Sequence, residues 1–478
     1  MADSRKITSN LLWRFMERIG AQLVTFVVSI ILARILDPAV YGTIALVTVF
    51  ISILQVFVDS GLGTALIQKK TADVLDFSSV FYFNLFICIL LYLLMFFAAP
   101  FIARFYKISE LTGVIRVLSF MLIISGVKNV QQAYVSRNLM FKRFFFATLG
   151  GTLGAAVLGI VMALNGFGVW ALVAQMLFNN LVDTIILWIT VKWRPKLCFS
   201  FKRLGSLFAY GWKLLVSALI DTVYTKLRQL VIGKMYTSED LAFYNKGEQF
   251  PDLIVTNIAS SIDSVLLPAM SEEQDNITRV KEMTRKSITV STYVMMPMMM
   301  GLAVCAEPIV RLILTEKWLL CVPFIRIFCF TCAFLPIHTS NLNAIKALGR
   351  SDLFLKLEIA KKIVGMAALL STMWFGVMPM AYSLLVTSIT SQIINSWPNK
   401  KLLNYSYLEQ VKDMLPQIGL TLLMGAIVYA VSFLPLSSWL ILLIQIPLGI
   451  LIYVLGSKLF KIKSFDYILS IVKKYFKK

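Results

Sequence analysis

Four charged residues break a stretch of chain that is otherwise apolar enough to cross a bilayer. Between Tyr210 and Gly233 stand Lys213, Asp221, Lys226 and Arg228. A spanning helix needs about 20 apolar residues. A charge at its centre costs about 2.5–3.5 kcal/mol on insertion scales, so it seldom meets lipid. Lys213, Asp221 and Arg228 are seven or eight residues apart, near whole helical turns, which predicts that they share a face. Such a face reads as the wall of a wet, positive cavity inside a helical bundle. Lys and Arg on a low-dielectric wall suit an anion, with phosphate or pyrophosphate the best match to their donors. The competing reading lets Lys213 and Arg228 snorkel to opposite interfaces and buries only Asp221.

Other polar residues in apolar surroundings are candidates for the same work. Arg14, Glu17 and Arg18 lie about a turn apart near the start of the chain; they mark an interface, or Arg18 points inward toward the anion. Glu248 and Asp252 are four apart, on one helical face. They balance Lys226 or Arg228, or hold a coupling cation. His338, with Asn341 nearby, is either a satisfied buried imidazole or a proton relay. Lys128, Asn129, Gln131 and Gln132 crowd one span and read as a structural interface. Cys329 and Cys332 have CxxC spacing but no other candidate ligands beside them, so inert buried thiols are expected. The single histidine excludes a multi-His metal site. No Walker loop, dinucleotide fingerprint or GxSxG is present, so no nucleotide or other cofactor is expected. An ATP-driven pump on this chain alone is therefore not expected.

The elements that position these residues follow from composition. The chain has 478 residues, 58% of them hydrophobic, with a mean hydropathy of +0.79. A soluble domain of this size cannot hide so much apolar surface. The apolar runs reach twenty-odd residues, which predicts an all-α polytopic membrane protein of about 14 spans, with twelve as the alternative. The net charge of +21 does not point to nucleic acid, because the basic residues are scattered through short loops and the tail. Alternate loops are rich in Lys and Arg, while the others hold only Arg34, Arg104, Lys107, Lys234 and Lys317. This asymmetry places both termini in the cytoplasm.

An internal repeat is suggested by Leu32-Ala33-Arg34 against Ile232-Gly233-Lys234, and by Val58-Asp59-Ser60 against Ile262-Asp263-Ser264. Both halves start on the same side, as in transporters that rock two lobes about an axis along the membrane normal. The expected division is an N-lobe over 1–191, a basic cytoplasmic linker over 192–205 and a C-lobe over 206–398. Two further spans cover 399–457, and a basic amphipathic cytoplasmic tail covers 458–478. Each lobe holds six helices, and the two enclose the central cavity. The tail reads as a surface helix on an anionic leaflet or as a simple topological anchor.

Several stretches resemble a known family. LLWRFMERIGAQLVTFVVSIILARILDPAVYG, SGLGTALIQKK, FGVWALVAQ followed by WRP, and AEPIVRLILTEKW are similar to the bacterial polysaccharide flippases of the multidrug/oligosaccharidyl-lipid/polysaccharide superfamily. The nearest branch is that of the colanic acid and teichuronic acid exporters. The resemblance implies two six-helix lobes forming a V, and a polyprenyl-pyrophosphate-linked oligosaccharide moved from the cytoplasmic to the outer leaflet. It implies an ion gradient or the membrane potential, not ATP, as the driving force. It implies a bacterial inner membrane location and, as protein partners, a polysaccharide polymerase and export machinery; a monomer is expected. On this reading Arg18, Lys213, Lys226 and Arg228 hold the pyrophosphate and sugar, while Asp221, Glu248, Asp252 and His338 couple to an ion or balance charge. The alternatives are a cation-coupled drug exporter of the same superfamily and a membrane glycan polymerase or ligase.

Overall fold

The computed structural model describes the backbone of residues 4–59, 62–69, 72–138 and 140–476. Side chains are described from residue 20 on, apart from 68, 141–144, 210, 257, 260–261, 263–264, 471–472 and 474–476. The described chain is 88% helical, with no strand. Among the described residues, ten segments are long and apolar enough to cross a membrane, and an eleventh is formed if the bent helix beginning at Phe201 counts as one span. Three further helices are α1 (Ser4–Ile35), α10 (Ser238–Glu272) and α15 (Ser351–Thr372). Of these, α10 carries Lys246, Glu248 and Asp252, and α15 carries Lys356, Glu358, Lys361 and Lys362. Mid-helix charge therefore lowers their hydropathy below that of the other spans. The chain divides into two compact units, Met1–Ala242 and Phe243–Lys478.

The first unit contains α1, α2 (Pro38–Asp59), α3 (Leu62–Gln68), α4 (Val74–Tyr106), α5 (Leu111–Leu118), α6 (Phe120–Arg137), α7 (Phe141–Leu164), α8 (Val169–Thr190) and α9 (Phe201–Met235). Small residues let α7 and α8 lie close together. A Cβ on Gly151 would come within 2.9 Å of the Asn179 carbonyl, and one on Gly154 within 2.8 Å of the Phe178 ring. A capping box starts α4: Asp73 accepts from the Asp76 amide at 2.9 Å, and Asp76 accepts from the Asp73 amide at 3.2 Å. The fully buried Asp76 also binds Lys69 at 2.7 Å and lies 3.6 Å from Arg203.

The basic connector between α8 and α9 is extended and fixed to this unit. Pro195 follows the end of α8, where a helix cannot easily continue. The Lys196 and Ser200 amides donate to the Ser78 and Ser79 hydroxyls at 3.1 and 3.0 Å. Gln131 donates to the Trp193 carbonyl at 3.1 Å, and the Trp193 ring stacks on Tyr134 beside Phe77. Leu204 and Leu207, from the first two turns of α9, complete the same core.

The second unit takes most of α10, then α11 (Ile277–Val304), α12 (Ala306–Ile313), α13 (Val322–Ala333), α14 (Leu335–Ala347), α15, α16 (Val377–Leu402), α17 (Tyr407–Ala430), α18 (Ser438–Leu459) and α19 (Lys463–Phe476). Its core helix is α11, which packs on α13, α14 and α17. The last span, α18, is joined to it by buried tyrosines. Tyr293 pairs with Ser457 at 2.7 Å, and the Tyr453 hydroxyl donates to the Tyr293 carbonyl at 2.8 Å. The basic tail forms α19. Phe465 and Ile468 turn onto that core, and Lys286 lies 3.7 Å from the centre of the Tyr467 ring.

Candidate functional site

The helix that carries the charged face, α9, is 35 residues long. That is about 52 Å, well over a bilayer core of about 30 Å. It begins on a cap, Ser200 Oγ accepting from the Arg203 amide at 3.4 Å, and bends by 51° between Ala209 and Gly211. The first two turns join the connector core, and Gly211–Met235 remains as the crossing segment. Its far end is locked: Lys234 donates to the Phe105 carbonyl and lies 3.8 Å from that residue's ring centre. Lys234 is thus an anchor.

Between bend and anchor the predicted residues differ in setting. Lys213 and Asp221 are exposed, Lys226 is half-buried, and Arg228 is 9% exposed beside the buried Gln229. Asp221 and Arg228 both take part in further interactions. Seven residues apart, they lie about 20° from one another around the axis, and Lys213 about 60–80° from them. The face thus carries two exposed charges, a half-buried lysine and a buried arginine.

Arg18, with Arg14 and Glu17, lies outside the described side chains, as does Asp263 of the repeat. On α10, Glu248 is half-buried and Asp252 exposed. Close by, Lys246 is 5% exposed, donates to Gln249 at 3.0 Å and lies 5.7 Å from the Trp318 ring centre. His338 Nδ1 meets the Asn395 amide nitrogen at 3.0 Å. It borders a buried network in which Asn341 donates to Gln410 at 2.9 Å and Asn399 donates to Asn341 at 2.7 Å. The imidazole has a hydrogen-bond partner within a packed core. Cys329 and Cys332 are free thiols.

Two charged clusters go beyond the reading of the sequence, which names Lys128 only as an interface residue. On α15, Lys361 pairs with Glu358 at 2.5 Å. Charges at 356, 358, 361 and 362 inside an apolar run were the available signal, the same one that drew attention to α9. In the first unit a polar seam joins α2, α6 and α8. Lys128 donates to Asn180 at 2.9 Å and to Asp183 at 3.1 Å. Asp59 accepts from Gln55 at 3.0 Å and from Asn129 at 3.3 Å. Four buried acceptors nearby have no partner among the described residues: Gln55 Oε1, Asn129 Oδ1, Asn179 Oδ1 and Asp183 Oδ1. A seam so rich in acceptors can take up a proton, water or a small cation. Asp59 and Asp183 lie far from Lys128 in the chain, and no spacing rule joins them.

The second unit also holds an apolar groove of about 430 Å³ between α11, α17 and α18. Pro297, Leu302, Met424, Gly449, Ile450 and Tyr453 line it. Its volume falls within the range of about 300–1,000 Å³ usual for ligand sites.

Residues 31–323 match the family described as polysaccharide biosynthesis protein. The chain belongs to that family. This polysaccharide biosynthesis protein is similar to the succinoglycan biosynthesis transport protein ExoT of Rhizobium meliloti (strain 1021), 24% identical over 73% of this chain and 70% of the relative. It is similar to the teichuronic acid biosynthesis protein TuaB of Bacillus subtilis (strain 168), 22% identical over 79% of each chain. Its fold is that of the lipid II flippase MurJ in an inward closed conformation, with a TM-score of 0.79 at 14% identity over 94% of this chain and 98% of the other. It is therefore a multi-pass membrane protein of the polysaccharide biosynthesis family. The matched region ends in the first turn of α13, so the α17–α18 groove lies mostly beyond it.

Proposed function

We propose that this protein is a flippase that carries a polyprenyl-pyrophosphate-linked oligosaccharide from the cytoplasmic to the outer leaflet of a bacterial inner membrane by alternating access. The observation that carries the reading is the charged face of α9, in a chain of a family of polysaccharide biosynthesis proteins. Exposed charge in the middle of a spanning helix is costly against lipid, so it favours a hydrated path. Lys213, Lys226 and Arg228, with Arg18 of α1, hold the pyrophosphate; Asp221 balances them. The apolar groove along α17 and α18 of the second unit has a lining suited to a hydrocarbon chain. Both termini are cytoplasmic, which puts the basic loops and α19 against the anionic leaflet. Glu248, Asp252 and the Asp59–Lys128–Asp183 seam are the groups for coupling to a proton or sodium gradient. His338, already bonded to Asn395, serves packing.

The test is leaflet translocation of a lipid-linked oligosaccharide in vesicles carrying the purified protein, with cell-surface polymer as the second readout. Lys213→Ala and Arg228→Ala are expected to abolish both while the protein stays in the membrane. Normal translocation by both variants overturns the assignment of the pyrophosphate grip. No translocation by the wild type overturns the function.

A further inference from the structure

A second apolar cleft in the second unit lies between α11, α13 and α17 and encloses about 360 Å³. Met299 and Ala303 form one wall, Phe330 and Phe334 another, and Leu422 a third. One charged residue lines it, Arg326, which stands on the second turn of α13 and is exposed. Its Nε donates to the Ala303 carbonyl at 3.3 Å, near the end of α11. That bond holds the guanidinium at the end of the bundle where α11 stops and α13 begins. Among the described residues Nη1 and Nη2 have no protein partner. The neighbouring Arg311 is different: Glu307 and Glu316 neutralise it at 3.2 and 2.8 Å.

The cleft has the proportions of half a lipid. From Arg326 to Phe334 the chain descends eight residues, about 12 Å along the helix. Half the hydrocarbon core of a bilayer is about 15 Å. An acyl chain lying against Phe330, Phe334 and Met299 therefore ends with its headgroup at Arg326. A guanidinium with two open N–H edges takes a phosphate bidentately. A zwitterionic headgroup brings its own cation to that phosphate, so an anionic lipid fits best.

We infer that this cleft is a binding site for one anionic phospholipid, its acyl chain between α11, α13 and α17 and its phosphate on Arg326. The site is separate from the α17–α18 groove and from the face of α9, and stands whether or not the proposed cargo is right.

Native mass spectrometry of the full-length protein with phosphatidylglycerol or phosphatidylcholine tests it, with thermal unfolding to show that each variant is folded. The wild type is expected to keep one phosphatidylglycerol about tenfold more tightly than phosphatidylcholine, as a charge-assisted bond provides. R326Q loses that one lipid, and R326K keeps a weaker preference. Ala303→Phe, which fills the cleft and leaves Arg326 in place, loses it as well. Equal retention by wild type and R326Q overturns the site. So does displacement by glycerophosphoglycerol without acyl chains, or by polyprenyl phosphate, which would give the cleft to the cargo.

Discussion

The two units bury polar groups among apolar helices in different ways. The first uses charge: Lys128 against Asp183, with Asp59 held by two amides and four acceptors left over. Beside its own Lys361–Glu358 pair, the second has a neutral network in which Asn341, Gln410, Asn399 and Ser396 bond one another between α14, α16 and α17, with Asn399 Oδ1 left over among the described residues. A neutral network costs little to bury once its bonds are made and fixes helix register. A charged pair inside a membrane bundle is expensive and easily bettered by apolar residues, so its presence points to work beyond packing.

Breaking the charged pair is the most severe test of that contrast. Lys128→Met leaves Asp183 uncompensated and is expected to cost about 3–5 kcal/mol in detergent unfolding. Adding Asp183→Leu should recover most of that stability without recovering transport. Full transport by the double variant would make the seam structural, like its counterpart. In the second unit, Asn341→Leu strands Gln410 and Asn399 at a cost of about 1–3 kcal/mol. Transport per folded molecule should stay normal, and a transport loss larger than the loss of folded protein would erase the distinction. A similar penalty of about 1–3 kcal/mol is expected for Gly151→Ala, whose Cβ meets Asn179 beside the seam. Gly205→Ala, which meets open space, should cost nothing measurable.

The smallest effect belongs to a charge outside the spans. The backbone hydrogen bond from Asp76 holds the Asp73 carboxyl below its usual range. Its folded value is depressed, so its contribution is present above the unfolded value of about 3.9 and is lost as pH falls below it. Asp73→Asn keeps the cap and should flatten this dependence, read as the unfolding temperature between neutral pH and about pH 3.

Hydropathy and charge count were sufficient for the membrane class and the long helices, because the cost of placing a residue in lipid is paid residue by residue. The same logic picked out α9, whose charges stand in an apolar run. It passed over α15, which carries the same signal, and treated Lys128 as an interface residue because the carboxylate that meets it lies elsewhere in the chain. Nor does any spacing show that Tyr453 and Ser457 tie α18 to Tyr293 of α11.

What the sequence alone determined is therefore local. Helices form where apolar runs are long enough, and α9 carries charge where lipid would reject it. Only the tertiary structure decided the partners. Lys128 meets Asp183 across 55 residues, Asp76 meets both Lys69 and Arg203, and Arg326 keeps its open edge over an apolar cleft. Those outcomes depend on which helix faces pack together, and packing is a property of shapes in three dimensions that no spacing along one chain encodes.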